Sequence, residues 1–155
     1  YRNLSQLPDF EDYNMAGHTY RFFKGKPLFP FGYGLSYTTF KYGKMKLDSS
    51  VKVGETAKIT VPVTNTGSRD GAEVVQLYIR DLVGSVTRPV KELKGFEKIF
   101  LKAGESRKVS FSITPELLKF YNYDLQFVCE PGDFDVMIGG NSRDVKKARF
   151  LLKGE

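Results

Sequence analysis

Two groups of carboxylates are the side chains of this sequence that could do chemistry. Paired carboxylates can transfer a glycosyl group, with one acting as general acid and the other as base or nucleophile. One group lies in an irregular N-terminal stretch, and the other lies around a turn near the C-terminus. The members are Asp9, Glu11 and Asp12 in the first group and Glu130, Asp133 and Asp135 in the second.

Neither group has the setting of an active site. Asp133 and Asp135 share one face of an expected strand, so we expect both carboxylates to point to solvent together. Their spacing does not fit a calcium loop, which needs several acids in a fixed order ending in Glu. The sequence also lacks a glycine-rich phosphate loop before a helix. The residues therefore predict no catalytic residue, no metal site and no cofactor, and they leave open whether the chain is an enzyme.

The single cysteine and the single histidine supply neither a nucleophile nor a metal cluster. Cys129 lies in a strand-like run without a nearby His-Asp partnership, so we expect a buried small hydrophobe. His18 stands between Gly17 and Thr19, which is typical of a loop. One histidine cannot form a metal cluster by itself.

Composition excludes several classes of protein. The chain has 155 residues, of which 41% are hydrophobic and 27% charged, as in globular domains. The net charge is +6, but the lysines alternate with apolar residues as on the solvent face of strands, so we expect no nucleic-acid partner. No run of about 18 apolar residues exists, which predicts no membrane span. Because the sequence starts at Tyr1 without Met, we expect a segment of a longer protein.

Alternation of apolar and polar residues predicts β-strands after residue 35. The clearest strand covers 56–65, where Pro62 indicates an edge position or a bulge. Turn signals recur about every ten residues, which is typical of an antiparallel sandwich. Residues 114–118 predict one helical turn, with a capping Thr and Pro at its first position. The other predicted strands cover 72–80, 93–101 with a bulge at Gly95, 107–114, 125–130 paired with 133–139, and 148–153.

The N-terminal stretch is rich in aromatic residues but has neither a helical nor a strand period. Gly32 and Gly34 permit the backbone angles of a tight, non-repeating path, and residues 36–40 favour a strand. Aromatic segments of this kind usually lie against another surface. We interpret residues 1–34 as an extended arm that packs on a neighbouring domain of a longer protein. The alternative is an arm folded on its own domain.

Several motifs, in a fixed order, resemble the C-terminal domain of glycoside hydrolase family 3 enzymes, which include β-glucosidases and β-xylosidases. Residues 29–38 are very similar to the junction that opens that domain. Residues 17–23 resemble the preceding link, although His18 stands where Arg is expected. The motifs similar to the family's fibronectin type III-like part are 63–67, 71–79, 88–96 and 130–134.

This resemblance implies an all-β fold, an immunoglobulin- or fibronectin type III-like antiparallel β-sandwich over residues 35–155. Residues 1–34 would be the irregular linker arm from the preceding catalytic domain. Members of the family cleave terminal β-linked sugars with retention, using an Asp on a barrel domain and a Glu on a following α/β domain. Both domains would lie upstream of Tyr1, so they are the expected intramolecular partners and no catalytic residue is assigned here. The family also implies a periplasmic or extracellular location.

The aromatic rings of the arm predict an interface with the catalytic domains. A docked ring buries about 150–250 Å², and at about 25 cal/mol per Å² even half of that burial would fix two domains relative to each other. A weaker hypothesis places Tyr20, Arg21 or Phe23 at the rim of the sugar cleft, because rings and Arg suit sugar-binding edges. The expected interface residues are Tyr20, Phe22, Phe23, Phe29, Phe31 and Tyr33.

The expected function is therefore a non-catalytic module that stabilises and positions the catalytic domains of a β-glycosidase acting on terminal β-linked glucose or xylose. One alternative is a polysaccharide-binding module, with Tyr42 and Tyr78 as the best candidates for an exposed aromatic platform. The absence of Trp argues against that alternative. A second alternative is a sandwich domain that binds protein partners, which the fold alone permits.

Overall fold

Strands make up most of the regular structure. The computed structural model describes residues 3–15 and 17–154, so the predictions for 1–34 and 35–155 lie partly outside it at Tyr1, Arg2, Ala16 and Glu155. The helical segments are a 3-10 turn (Leu4–Gln6), α1 (Thr19–Phe22) and α2 (Pro115–Leu118). The strands are β1 (Phe40–Tyr42), β2 (Lys46–Leu47), β3 (Ser50–Lys52), β4 (Ala57–Asn65), β5 (Gly71–Asp81), β6 (Glu92–Leu101), β7 (Ser106–Ile113), β8 (Phe120–Tyr121), β9 (Phe127–Val128), β10 (Gly132–Gly139) and β11 (Val145–Lys153).

Two sheets pack face to face, as the sequence predicts. In the first sheet β4 pairs with β7 on one side and with β1 and β2 on the other. The second sheet has the order β3-β11-β10-β5-β6, and β8 and β9 form a separate two-stranded sheet. The pairing of β3 with β11 is parallel, whereas the other pairings of the described strands are antiparallel. The sandwich is therefore antiparallel except along the β3 edge.

Alternating residues of the central strands fill the core. Ile59, Val61 and Val63 of β4 are fully buried, as the alternation of apolar and polar residues along this strand predicts. From the opposite sheet, Phe134 stacks on Phe150 with ring centroids 5.4 Å apart. Burying such side chains stabilises the fold by about 1.5–3 kcal/mol each. The interior is apolar from both sheets, and the polar contacts that matter lie on the outer faces.

Pro62 lies opposite a break in the neighbouring strand and not at an edge of the sheet. Its strand, β4, is paired on both sides, so the edge position was wrong. On one side the partner is interrupted between β1 and β2, and there Gly43 N–H donates to the Pro62 carbonyl at 2.9 Å. In an antiparallel pair the N–H and carbonyl of one residue face the same neighbour. The N–H that Pro62 lacks would therefore face the interruption, where no ladder bond is lost.

The bulge predicted at Gly95 is confirmed. Along the β5–β6 ladder, Leu77 lies opposite Gly95 and Tyr78 lies opposite Leu93. Lys94 is therefore the extra residue of β6. A bulge of this kind bends a strand and increases its twist.

The predicted pairing of 125–130 with 133–139 was wrong. The strand β9 pairs with β8, and β10 pairs with β11 and β5 instead. Asn122 explains the difference, because its N–H donates to the Gln126 carbonyl at 3.0 Å and its side-chain oxygen accepts from Gln126 N–H at 2.9 Å. These bonds close a local hairpin before Pro131 is reached.

Three smaller expectations had different outcomes. The helical turn after Thr114 is confirmed as α2, although the Thr114 side chain makes no capping bond. The strand expected from residue 36 starts only at Phe40. The Asn, Asp and Gly residues of the 65–71 turn favour left-handed backbone angles, but none of the residues of this turn has a positive φ.

Asn65 is buried at 0% exposure and joins three separate segments. Its amide nitrogen donates to the Arg69 carbonyl at 2.8 Å and to the Leu101 carbonyl at 3.1 Å. Its side-chain oxygen accepts from the Thr38 hydroxyl at 2.6 Å and from Gly67 N–H at 3.1 Å. The segment just before β1, the β4–β5 turn and the end of β6 thus meet at one side chain.

Replacing Asn65 by Ala is expected to lower the free energy of unfolding by about 2–4 kcal/mol, because the carbonyls of Leu101 and Arg69 lose their donor. Urea denaturation of the two proteins measures the change. The control is Asn3→Ala, at an exposed residue whose side chain accepts from the exposed Ser5 hydroxyl, where we expect a change within about 0.5 kcal/mol. Equal effects of the two substitutions would contradict the role of Asn65.

Candidate domain interface

The arm is held on the outer face of the five-stranded sheet through its backbone. Gln76 of β5 donates from Nε2 to the Gly32 carbonyl at 3.2 Å and to the Gly140 carbonyl at 2.7 Å. Ser142 N–H donates to the Phe31 carbonyl at 2.8 Å. The arm thus connects the outer face of β5 to the β10–β11 turn.

Tyr78, two residues further along the same face of β5, completes this contact. Its hydroxyl donates to Gln76 Oε1 and lies 3.4 Å from the Phe31 carbonyl oxygen. The Tyr78 side chain is only 1% exposed, and this burial raises the pKa of its hydroxyl to about 12. The hydroxyl therefore keeps its proton at neutral pH and remains a donor.

The burial of Tyr78 corrects one sequence expectation. Neither tyrosine proposed for an exposed aromatic platform is available on a flat face, because the arm covers Tyr78 and Tyr42 is half-buried. The Tyr42 hydroxyl donates to Glu73 at 2.9 Å, and burial first, then the Glu73 charge, raises the pKa of Tyr42. These two residues therefore carry no argument for polysaccharide binding.

Gly32 permits the close approach of the arm to Gln76. Its φ of +76° lies in the left-handed region, and a Cβ added there would lie 2.0 Å from Gln76 Oε1. Gln76 is buried and hydrogen-bonded to Tyr78, so it cannot move aside without losing contacts. Only glycine fits this position without strain.

A second contact holds the start of the arm. Val90 N–H donates to the Arg21 carbonyl at 3.1 Å, and the Arg21 guanidinium lies 3.5 Å from the Glu92 carboxylate. Glu92 also pairs with Arg88 at 2.8 Å, and Arg88 lies 4.3 Å from the centre of the Phe120 ring. At these two places the backbone of the arm contacts its own domain, as the alternative interpretation of the arm expects.

The aromatic rings of the arm mostly face away from this backbone attachment. The exposed fractions are 82% for Tyr20, 66% for Phe29, 60% for Phe31 and 43% for Tyr33. The rings of Phe29 and Tyr33 contact each other at a centroid distance of 5.5 Å. Phe22 and Phe23 are partly buried.

An open groove of about 740 Å³ lies between the arm and the sandwich. All three residues proposed for a cleft rim, Tyr20, Arg21 and Phe23, line this groove. Phe29 and Phe31 line it too, whereas Phe22 and Tyr33 do not. The groove therefore brings together all of the residues predicted for the interface or the cleft rim except Phe22 and Tyr33.

Sequence reasoning missed two sets of residues around this site. Gln76 and Tyr78 were expected only to lie on the outer face of β5, since no local pattern shows that a distant segment covers them. Exposed apolar side chains were missed where they follow no strand period. They are Leu28, Leu35 and Tyr37 of the arm and Phe96 and Phe100 of β6.

The two groups of carboxylates named in the sequence analysis include side chains that form salt bridges or turn hydrogen bonds. Asp133 is exposed as expected, but Asp135 is only 1% exposed and pairs with Lys147 at 2.7 Å and Arg149 at 3.0 Å, so its predicted exposure was wrong. Burial opposes ionisation of Asp135, but hydrogen bonds from both cations hold its pKa below the usual value. In the N-terminal group, Asp9 and Asp12 accept hydrogen bonds from backbone N–H groups two residues further on.

Other features of the described residues bear on chemistry. Cys129 is partly buried and packs against the core, and burial raises the pKa of its thiol. Within residues 3–15 and 17–154, no cluster of three or more His, Cys, Asp or Glu side chains is arranged to hold a metal ion. Over the same ranges, no helix has the length and apolar character needed to cross a bilayer.

The two-sheet, mostly antiparallel sandwich has the fold of a fibronectin type III-like domain. Residues 73–142 match the family described as "Fibronectin type III-like domain". The chain is 50% identical to a β-xylosidase of Formosa agariphila, over 98% of the chain and 22% of that enzyme. It is 46% identical to the periplasmic β-glucosidase of Salmonella typhimurium, over 97% of the chain and 21% of that enzyme.

A solved structure extends the similarity through the arm. The β-glucosidase of Erythrobacter marinus superposes with a TM-score of 0.82 at 39% identity, over 96% of this chain and 20% of that one. The chain thus spans about a fifth of the length of the relatives that it matches. It belongs to the fibronectin type III-like C-terminal modules of glycoside hydrolase family 3 β-glucosidases and β-xylosidases.

Replacing Gly32 by Ala is expected to lower the free energy of unfolding by at least about 1–2 kcal/mol, through left-handed strain and contact with Gln76. Release of the arm would also free the Ser142 amide, so its hydrogen exchange should accelerate. The control is Gly34→Ala, where an added Cβ meets nothing within 4 Å. In this variant the free energy of unfolding should not fall and the exchange of the Ser142 amide should not accelerate. Unchanged Ser142 exchange in the Gly32 variant would show that these bonds do not hold the arm.

Proposed function

We propose that this chain is a non-catalytic module that stabilises and positions the catalytic domains of a glycoside hydrolase family 3 enzyme. The observation that carries the proposal is the arm between Tyr20 and Tyr33, whose backbone is fixed on the sandwich while most of its rings remain exposed. Rings that stay in water on an ordered backbone are suited to dock on another surface. The interface would contain Tyr20, Phe22, Phe23, Phe29, Phe31 and Tyr33.

The area available supports docking on a large partner. Leu28, Leu35 and Tyr37 of the same segment are 79%, 91% and 92% exposed and extend the apolar surface beyond the predicted rings. Isolated exposed hydrophobes are ordinary, but a contiguous set on one segment is typical of an interface. Because the arm is already ordered, docking would lose little further backbone entropy.

The relatives support a partner within the same polypeptide. Each matched relative is about five times as long as the aligned region, so most of its chain lies outside this module. The proposed partners are the barrel and α/β domains that carry catalysis in the family. From the same similarity we propose that the whole protein hydrolyses terminal β-linked glucose or xylose. We also propose that it acts in the periplasm or outside the cell, which the name of the Salmonella relative supports.

The domain boundary remains part of this proposal. Residues 1–34 are proposed as the linker and 35–155 as the sandwich. The attachment of Arg21, Phe31 and Gly32 to the sandwich means that a linker cut at residue 34 would lose contacts with its own domain. A protein-interaction role remains the second candidate, since the same exposed rings would suit a separate partner.

Replacing Phe29 and Tyr33 together by Ala is expected to lower the unfolding temperature of the complete enzyme by a few degrees. In the isolated chain the same change should cost less than about 1 kcal/mol, because both rings are largely exposed there. Calorimetry of both proteins measures the difference. The control is Tyr123→Ala, an 87% exposed ring next to the β8–β9 hairpin. Equal effects in the two proteins would contradict docking through the arm.

The cleft-rim hypothesis has its own test. Replacing Tyr20 or Phe23 by Ala, or Arg21 by Met, should raise KM for a xylo-oligosaccharide about threefold or more with kcat nearly unchanged, since such contacts bind substrate and transition state alike. The control is Tyr123→Ala, an exposed ring that neither lines the groove nor belongs to the proposed interface. Unchanged KM values in all three variants would remove these residues from the sugar cleft.

A further inference from the structure

The groove between the arm and the sandwich carries an excess of positive charge. Its lining has five cationic side chains and one carboxylate, which gives the lining a net charge of +4, and one of these cations, Arg143, pairs with Asp144 at 3.1 Å just outside the lining. The carboxylate is already shared among several cations of the sandwich and the arm. Two of the lysines, Lys24 and Lys26, make no ion pair with any residue that the structure describes. The charged lining residues are Arg21, Lys24, Lys26, Lys91, Arg143 and Glu92.

Lys91 is the partly buried lysine of the groove, whereas Lys24 and Lys26 are exposed. Its ammonium group donates to the Ser142 carbonyl, and within residues 3–15 and 17–154 it has no carboxylate partner. Burial lowers the pKa of Lys91, and the neighbouring charges of Lys147 and Arg80 lower it further. A bound anion would offset both the burial and the repulsion at this point.

Aromatic rings surround the same space. Tyr20, Phe29 and Phe31 line the groove with large exposed fractions, and Tyr78 lies at its floor. Aromatic faces pack well against the apolar faces of flat, ring-shaped ligands. The volume of about 740 Å³ lies in the range of small-molecule sites, which is about 300–1,000 Å³. The groove therefore suits a ligand that combines a ring with a negative charge.

We propose that this groove binds a uronic-acid residue of an acidic glycan, with the sugar carboxylate at Lys91 and the pyranose ring against Phe29 or Tyr20. The inference rests on the proposed function for the origin of the glycan, because a β-glycosidase works among such chains, and it requires docking to leave the groove side of Tyr20 and Phe29 open. The binding itself is a property of this chain. A concave site walled by rings favours a sugar over the flat acidic face of a protein.

The test compares two probes, trigalacturonic acid and the neutral xylotriose, by isothermal titration calorimetry on the 155-residue chain. Trigalacturonic acid should bind about tenfold more tightly than xylotriose, the effect of one charge-assisted hydrogen bond. Its affinity should fall as salt is added, because the cations are partly exposed. Phe29→Ala should weaken the binding of trigalacturonic acid.

Charge-removing variants locate the carboxylate. Lys91→Met keeps the apolar stem and should lower the affinity for trigalacturonic acid about fivefold or more. Because Lys91 also contacts Ser142, the double variant Lys24→Met with Lys26→Met is measured as well; both lysines are exposed, so the melting temperature should stay the same while affinity falls. The matched control is Lys108→Met, an exposed lysine on β7 in the other sheet, where affinity should not change.

Three results would overturn the inference. They are equal affinity for the two probes, full affinity in both charge-removing variants, and tighter binding of a short polyglutamate peptide than of trigalacturonic acid. The last result would identify an acidic protein surface as the occupant. Domain docking is measured by calorimetry of the complete enzyme without glycan, so the failure of either proposal leaves the other measurable.

Discussion

The hydrogen bonds from Gln76 and Tyr78 to the backbone of the arm are the interaction on which the rest of the arm depends. Both side chains lie on the outer face of β5 and are almost completely buried. A buried amide or hydroxyl without a partner costs about 1–3 kcal/mol, so these groups need acceptors. The carbonyls of Phe31, Gly32 and Gly140 supply them. The arm therefore supplies part of the acceptors for these buried groups, and its path follows from them.

This arrangement separates the backbone of the arm from its side chains. The carbonyls of Arg21, Phe31 and Gly32 face the sandwich, while rings such as Tyr20 and Phe29 face solvent. A flexible segment with the same rings would lose about 1–2 kcal/mol per residue of backbone freedom on docking. An arm fixed in advance avoids most of that loss. Order in the arm and exposure of its rings are thus two results of the same contacts.

The part of the fold that depends on local period could be predicted from the sequence. The faces of β4, the bulge at Gly95 and the helical turn after Thr114 all follow from residues within a few positions of one another. Strands of two or three residues, such as β2 and β3, are too short to show a period. The β8–β9 hairpin was missed because the side chain of Asn122 decides that pairing.

The candidate site was predictable in part for the same reason. Aromatic density identified the arm, and Tyr20, Arg21 and Phe23 do lie together in one groove. The partners of the arm could not be found, because Tyr78 reads as an exposed residue in a period-two strand until a distant segment covers it. Asp135 was misjudged in the same way, since its burial depends on Lys147 and Arg149 of the next strand.

The last strand of the five-stranded sheet has a consequence for solubility. As an edge, β6 presents unpaired backbone groups that could recruit a strand from another copy and start aggregation. The extra residue at Lys94 twists this border, and Glu97 and Lys98 place opposite charges along it. Strands with such features resist intermolecular sheet formation. The bulge and the charges therefore oppose the pairing of another strand along the edge that carries the exposed rings of Phe96 and Phe100.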